Sequence, residues 1–365
     1  MNKFLLSLAL LLPTAAAAQS TFEVNGIVYT EDLSDPSKMA VIVVAKKSPM
    51  LMEGMSAYEG DIVIPSTIEH DLDTYQVTGI AQGAFMGSEV ESLIINEGPT
   101  KILMGAINCP KLESLTLPQS IVSVDGLYAP ELEELNWGDN IKSITNGSFI
   151  ASKKLESLTL PAALKTVKAS FYNLDGISSL KFDDKIKSIE QSFNVLENLK
   201  SLNFPASLRT LKMSFTSISA VESIEFADGI QKIESSCTGC KSLKSLKLPS
   251  TLTSMSYSFA GGNLDELVIP DAVTTIDNCF LGTFVKTIRF GKGFSDIASL
   301  DHFLSTASKI YCPWSVPPGI ARCLKYGEDV TVYVPRDAVS AYEEAWNLAE
   351  INKRKHHLTI EPFDF

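Results

Sequence analysis

Hydrophobic residues recur along this chain with a period of about 22 residues. The clearest copies lie at residues 112–118, 155–161 and 243–249, where apolar and polar positions alternate and a proline ends the segment. The central apolar residue of each copy is, in order, Leu93, Leu115, Leu135, Leu158, Leu180, Leu202, Ile224, Leu246, Leu267 and Ile288. Neighbouring centres are 20 to 23 residues apart over ten copies, so the pattern predicts a repeat architecture.

Each repeat predicts a short strand followed by a second apolar pair. Leu115 and Leu117 are two residues apart and therefore face one side of a strand, while the residues between them face the other. Pro118 has no amide hydrogen and so ends the strand. The second pair, three residues apart, is Ile121/Val124, Leu164/Val167, Ile186/Ile189, Leu208/Leu211, Ile230/Ile233, Leu252/Met255 and Val273/Ile276.

An aromatic residue closes most repeats, at Phe149, Phe171, Phe193, Phe215, Phe259 and Phe280. A unit of this size cannot bury so many apolar side chains by itself, whereas stacked units cover one another. The repeat therefore predicts an elongated, mainly β solenoid that rises about 4.8 Å per coil.

The repeated pattern L-x-S-L-x-L/F-P resembles the BspA-like leucine-rich repeat proteins, a secreted bacterial group. The resemblance extends to residues 22–29, 60–65 and 75–85 at the start and to residues 332–346 at the end. It implies a right-handed leucine-rich repeat coil and a binding role. The family's Gly-Asp-x-Ala-Phe turn is kept well only at residues 83–85, and most repeats have Ser-Phe or Cys-Phe, so we expect a different loop shape.

The chain divides into four predicted segments: a signal peptide over residues 1–18, a β-rich N-terminal cap over 19–60, the solenoid over 61–325 and a C-terminal cap over 326–365. In the last segment Val339, Tyr342 and Trp346 share one face of a predicted helix. We expect this short helix to cover the last apolar coil, and a partner-binding helix is the alternative.

The first 18 residues have a basic start, an apolar run and an alanine-rich cleavage site ending at Ala18. They predict a secreted or cell-surface protein, with the periplasm left open as a location. The apolar run is shorter than the roughly 20 residues that a membrane helix needs, and no later segment is predicted to insert into a membrane.

The formal net charge of −12 argues against nucleic acid as a partner, because phosphate binding needs an excess of Lys and Arg. The four histidines are scattered and no nucleophile, zinc-protease, P-loop or dinucleotide motif is present. We therefore expect no enzyme activity, no cofactor and no metal. A hydrolase or inhibitor built on a solenoid is an alternative without a supporting motif.

Six cysteines in an exported chain raise the question of disulfides. Cys109 and Cys240 occupy the same repeat position, and Cys237 stands in the column of closing aromatics, so we expect all three to be buried. Cys312 and Cys323 flank an irregular loop outside the repeat register, and they are the candidate disulfide.

The outward strand positions form two columns of polar side chains, followed here from the repeat at Leu93 to the repeat at Ile288. The candidate ligand-binding residues on this predicted sheet face are Ser157, Thr159, Ser179, Lys181, Ser201, Asn203, Glu225, Lys247 and Arg289. We expect a protein ligand, from a host or a cell surface, in preference to a glycan, since neither column contains an aromatic residue over these ten repeats.

The resemblance implies adhesion or protein–protein interaction for such a face. Two alternatives remain open at this point. The face is solvated and binds nothing, or the protein is an accessory binder of extracellular polysaccharide. Exposure of Trp314 or Tyr326 in the C-terminal loop would favour the polysaccharide role.

Overall fold

The computed structural model describes residues 20–34, 36–37, 39–326, 328–353 and 357–365. The predicted signal peptide over residues 1–18 lies outside them. The described chain is a β-solenoid of about 11 turns, as the 22-residue period predicts. None of its helices within these residues has the length and apolar character required to cross a membrane.

The N-terminal region contains strands β1 (Thr21–Val24), β2 (Ile27–Glu31), β3 (Ala40–Val43), β4 (Glu59–Ile64), β5 (Thr67–His70), β6 (Asp73–Ile80), β7 (Phe85–Met86), β8 (Glu89–Ile95), β9 (Lys101–Ile102) and β10 (Ile107–Asn108). Two antiparallel hairpins, β1–β2 and β5–β6, are joined by parallel pairing of β3 with β6. The predicted cap boundary at residue 60 therefore falls inside this cap sheet, because β3 pairs with a strand that the repeat pattern assigns to the solenoid.

The central coils contain strands β11 (Ser114–Thr116), β12 (Ser123–Asp125), β13 (Glu134–Asn136), β14 (Ser143–Thr145), β15 (Ser157–Thr159), β16 (Thr166–Lys168), β17 (Ser179–Lys181), β18 (Ser188–Glu190), β19 (Ser201–Phe204), β20 (Thr210–Lys212), β21 (Ser223–Phe226), β22 (Lys232–Glu234), β23 (Ser245–Lys247), β24 (Ser254–Ser256), β25 (Asn263–Val268) and β26 (Thr275–Asp277). Odd-numbered strands carry the leucine motif. Even-numbered strands carry the second residue of each apolar pair, and they form one parallel eight-stranded sheet from β12 to β26.

The C-terminal region contains strands β27 (Phe284–Arg289), β28 (Lys309–Tyr311), β29 (Val330–Pro335) and β30 (Leu358–Phe363), with helices α1 (Asp301–Leu304), α2 (Arg322–Tyr326), α3 (Val339–Ala345) and α4 (Leu348–Ile351) and 3-10 helices at Ile297–Leu300 and Arg336–Ala338. A parallel sheet runs in the order β25-β27-β28-β29-β30. The repeat ladder thus continues past the predicted boundary at residue 325, because β29 and β30 still direct alternate apolar side chains inward.

Two aromatic side chains of the C-terminal cap are buried, as their helical spacing predicts. Tyr342 donates a hydrogen bond from its hydroxyl to the carbonyl oxygen of Trp314 at 3.1 Å. The indole nitrogen of Trp346 donates to the carbonyl oxygen of Pro318 at 2.8 Å. These bonds hold the cap segment against the loop that precedes it in the chain.

The closing phenylalanines stack through the centre of the solenoid. The ring centroids of Phe149, Phe171, Phe193 and Phe215 follow one another at 5.1, 4.8 and 5.1 Å, with the planes within 9° of parallel. All four are completely buried, and all four have positive φ values of 57 to 61°. A left-handed conformation is costly for a bulky residue, so the stack must stabilise each turn against that cost.

A buried serine precedes each of these phenylalanines, and the serines link the coils by hydrogen bonds. The Ser192 hydroxyl donates to the carbonyl oxygen of Glu190 at 2.7 Å and accepts the amide hydrogen of Ser170 at 3.2 Å. Equivalent donor bonds are made by Ser170, Ser214, Ser236 and Ser258. We call this column the serine ladder. It accounts for the Ser-Phe turn that departs from the family's pattern.

The cysteines belong to the core columns. Cys237 takes the place of a phenylalanine between Phe215 and Phe259, and Cys279 takes the place of a serine after Ser258, where its Sγ lies 3.5 Å from the carbonyl oxygen of Asp277. Cys109 and Cys240 are also buried, as predicted. Burial raises the pKa of the Cys109 thiol to about 11 and that of Cys240 to about 12.

The candidate disulfide does not form in this structure, where Cys312 and Cys323 are both thiols. Cys312 directly follows β28 and is fully buried, whereas Cys323 lies in α2 and is half-buried. The position of α2 on the loop, which the sequence pattern does not predict, separates the environments of the two side chains.

Replacing one ring of the stack tests its role. Because Phe193 contacts a ring on each side, Phe193→Ala leaves a cavity and should lower the free energy of unfolding by about 3–5 kcal/mol. Phe284→Ala, at a phenylalanine that is 62% exposed, is the matched control and should change it by less than about 0.5 kcal/mol. Equal losses in urea unfolding would contradict the proposed role of the stack.

The serine ladder is tested by Ser214→Ala. The substitution leaves the amide hydrogen of Ser192 without its acceptor, now at 3.1 Å, in a buried turn. We expect a loss of about 1–3 kcal/mol in the free energy of unfolding. Ser245→Ala, at an exposed serine of the sheet face, should be close to neutral, and a neutral Ser214→Ala would refute the ladder.

Thiol counting tests the cysteine assignments. In the native protein, thiol reagents should fail to label Cys109, Cys237, Cys240, Cys279 and Cys312, since each is buried. The raised pKa of Cys279, about 12, also keeps that thiol protonated near neutral pH. In guanidinium chloride without reductant, all six thiols should react. A count of four would instead restore the Cys312–Cys323 disulfide.

Candidate functional site

The candidate site is the outer face of the odd-numbered strands. Alternate residues of a strand point to opposite sides, and the leucine of each strand points inward. The predicted residues consequently lie together on the outer face: Ser157, Thr159, Ser179, Lys181, Ser201, Asn203, Glu225 and Lys247 are exposed, and Arg289 is half-buried. Their strands are in register, with Thr159 opposite Lys181 and Glu225 opposite Lys247.

This face is supported by three hydrogen-bonded ladders. Strands β15 and β17 form the first, β19, β21 and β23 the second, and β25 begins the third. Serine, threonine and asparagine side chains therefore follow one direction at the spacing of neighbouring strands, about 4.8 Å. The arrangement is a long polar surface on a rigid backbone.

Most cations on the face are already paired with acids one coil away. Lys247 binds Glu225, Lys244 binds Glu222 at 2.8 Å, and the Nε of Arg289 donates to Glu266 at 2.6 Å. The bond to Glu225 raises the pKa of the Lys247 ammonium group. Exposed pairs of this kind contribute little to stability, but they reduce the local net charge.

Lys181 differs from these cations. Within the part of the chain that the structure describes, it takes part in no ion pair. It is exposed and lies beside the hydroxyl side chain of Thr159. Lys181 is therefore the cation of this face that a ligand reaches without displacing a protein carboxylate.

The opposite face of the solenoid carries a groove that the sequence analysis missed. Glu190, Arg209, Lys212, Gln231, Lys232 and Glu234 line a space of about 400 Å³. Lys212 pairs with Glu234 at 3.1 Å, so charges alternate along these strands as well. Applying the column analysis to the even-numbered strands would have revealed it, because Glu190, Lys212 and Glu234 are each 22 residues apart.

The outer face also continues beyond Arg289. In register with Arg289 come Tyr311 and then Tyr333, whose rings stack at 4.5 Å. The guanidinium carbon of Arg289 lies 3.7 Å from the centre of the Tyr311 ring, a cation–π contact. The predicted column without aromatics was thus followed too briefly, because the insertion before β28 breaks the repeat spacing.

The C-terminal loop does not present the aromatics on which the polysaccharide alternative relied. Trp314 is buried and packs 5.5 Å from the ring of Phe290. The side chain of Tyr326 lies outside the described residues. The aromatic surface of this region is formed by strands and not by that loop.

The described residues offer little for acid–base or metal chemistry. Among them, no group of three or more His, Cys, Asp or Glu side chains is placed to hold a metal ion. The groups with strongly raised pKa values are core tyrosines and cysteines, such as Tyr58 with a pKa of about 12. The raised carboxylate in a cleft that a hydrolase would require is not among the resolved shifts of these residues.

Comparison with known proteins identifies the repeats. Residues 67–168, 125–237, 167–286 and 212–306 match the model of the BspA type leucine rich repeat region, which has six copies. These segments overlap and together span residues 67–306. Among curated proteins, none matches this chain.

Solved structures show the same fold at low sequence identity. A leucine-rich repeat protein from Bacteroides ovatus is 14% identical, with coverage of 94% of this chain and 100% of that chain and a TM-score of 0.52. A leucine rich cell surface protein from Faecalibacterium prausnitzii is 14% identical, with 96% and 97% coverage and a TM-score of 0.48. The pneumococcal vaccine antigen PcpA is 15% identical, with 95% and 99% coverage and a TM-score of 0.40.

Identities this low bear on the fold alone, whereas the family match covers more than half of the residues and agrees with the observed coils. This chain belongs to the BspA-type leucine-rich repeat family.

Proposed function

We propose that this protein is an exported, non-enzymatic binding protein whose outer sheet face docks a protein ligand from a host or a cell surface. The role is adhesion or protein–protein interaction. The observation that carries the proposal is the row of exposed hydroxyl, amide and charged side chains from Ser157 to Lys247 on in-register strands. Repeat families of this kind use such extended surfaces for binding.

The size and charge of the face favour a protein ligand. From β15 to β27 the face crosses seven strands, or roughly 30 Å at about 4.8 Å per strand. That length suits the ~800 Å² per partner of a standard protein interface. Paired charges next to the unpaired Lys181 give an alternating pattern that a protein surface matches better than a uniformly charged polymer does.

The location that accompanies this function is secretion or the cell surface, after cleavage near Ala18. The sequence of residues 1–18 supports export. The similarity to a leucine rich cell surface protein is consistent with it. A periplasmic partner is the alternative location of the ligand.

Charge reversal on the face tests the proposal. Residues 19–365 are measured for saturable binding to surfaces coated with extracellular-matrix proteins and to cell-surface protein extracts. Lys181→Glu combined with Lys247→Glu should weaken binding by about tenfold or more, since like charges then meet across the interface. Lys168→Glu, at an exposed lysine of the opposite sheet, is the matched control and should bind as the parent does.

Two results would contradict the proposal. Binding that Lys168→Glu weakens as much as the double variant does would place the contact away from the outer face. Saturable protein binding that survives the double variant unchanged would exclude this part of the face. Thermal unfolding of each variant separates lost binding from lost folding.

A further inference from the structure

The outer face ends in a group of aromatic side chains that the protein-binding proposal does not use. We name Tyr333, Phe363 and Phe365 the aromatic corner. Tyr333 is on β29, Phe363 is on β30, and Phe365 follows it with 53% of its surface exposed. Strand β30 is the last of the five-stranded sheet, so the corner lies at one end of the solenoid.

The rings of the corner are arranged at steep angles to one another. Tyr333 stacks on Tyr311 by one face, which leaves its other face directed toward β30. The plane of Phe363 is inclined at 71° to Tyr333, with 6.2 Å between their centroids. Phe365 lies 5.0 Å from Phe363, inclined at 73°. The outcome is a step of two ring faces, with a third ring at its edge.

Tyr311 holds this step in place. Its two faces are covered by the guanidinium of Arg289 and by the ring of Tyr333, and only 9% of it is exposed. The edge of Phe363 packs against Tyr311 at 4.9 Å. Aromatic rings that are fixed in this way lose little side-chain entropy when a ligand packs on them.

The charges around the corner balance. Arg289 is paired with Glu266, and Arg336 lies 3.3 Å from Asp364. Glu361, opposite Tyr333 on β30, is exposed, and so is Lys309 on β28. In a chain with a net charge of −12, this is a locally neutral region rich in both donors and acceptors. Such a rim complements an uncharged ligand that carries many hydroxyl groups.

We propose that the aromatic corner binds an uncharged saccharide, one or two pyranose units of a neutral polysaccharide. The C–H face of a pyranose ring is apolar and packs on an aromatic face, while its hydroxyls exchange hydrogen bonds with carboxylate and guanidinium groups. Tyr333 and Phe363 supply the faces. Glu361 and the rim ion pairs supply the polar partners.

The area of the corner separates this ligand from a protein. A whole aromatic side chain buries about 150–250 Å², and Tyr333 and Phe363 are already half-buried. Their remaining surface is therefore far below the ~800 Å² per partner of a standard protein interface. The inference is independent of the proposed protein-binding function, because the corner lies beyond Lys181 and Lys247 in the fold.

Affinity electrophoresis and titration calorimetry of residues 19–365 provide the test. The probes are soluble neutral glucan, mannan and xylan, with polygalacturonate as the acidic comparison. At least one neutral polysaccharide should bind. Tyr333→Ala should weaken binding at least tenfold, Phe365→Ala should weaken it severalfold, and Tyr333→Phe should retain it. Tyr257→Ala, at a tyrosine that is 55% exposed on a distant turn, is the matched control.

Several results would overturn the inference: no neutral polysaccharide binds, polygalacturonate alone binds, or Tyr333→Ala and Tyr257→Ala bind equally well. Protein binding that Tyr333→Ala abolishes, without any saccharide binding, would assign the corner to a protein. Phe365→Ala alters an exposed side chain, so it tests the corner even if Tyr333→Ala fails to fold. The Lys181→Glu and Lys247→Glu variant should bind saccharide normally, which separates this inference from the protein-binding proposal.

Discussion

The structure depends on how one buried turn packs on the next. At that turn a serine bonds its own coil and the preceding one, and the next residue, a phenylalanine, stacks on its counterparts. Both interactions require the same vertical alignment of coils. The stack offsets the cost of placing Phe193 and its equivalents in a left-handed conformation. The register of both sheets, and so the spacing of every outer side chain, follows from this alignment.

Function is left to positions that the alignment does not use. Inward residues are occupied by burial, whereas outward residues vary between coils without disturbing the stack. The central part of the outer face uses that freedom for hydroxyls and cross-coil ion pairs such as Glu222–Lys244. The last coils use it for Tyr311 and Tyr333. One scaffold therefore presents two surfaces with different chemistry, one extended and polar, the other small and aromatic.

The candidate site was predictable where the period is regular. Ser157, Lys181 and Lys247 lie on the outer face because strand alternation leaves them no other side once the leucines are buried. Prediction failed where the spacing changes. The insertions before β28 and β30 hid the last strands, and with them Tyr333 and Phe363. The ion pair of Lys247 with Glu225 also needed the pairing of strands 22 residues apart.

The sequence by itself determined the repeat, the solenoid class, the buried columns and the identity of the outward residues, since a period of apolar positions is a local property of the chain. Only the tertiary structure decided where the cap sheet ends, which thiols approach one another, and which ring faces which. Those outcomes depend on contacts between residues far apart in the chain. For example, β3 pairs with β6 and Tyr333 meets Phe363, and no periodic spacing encodes either contact.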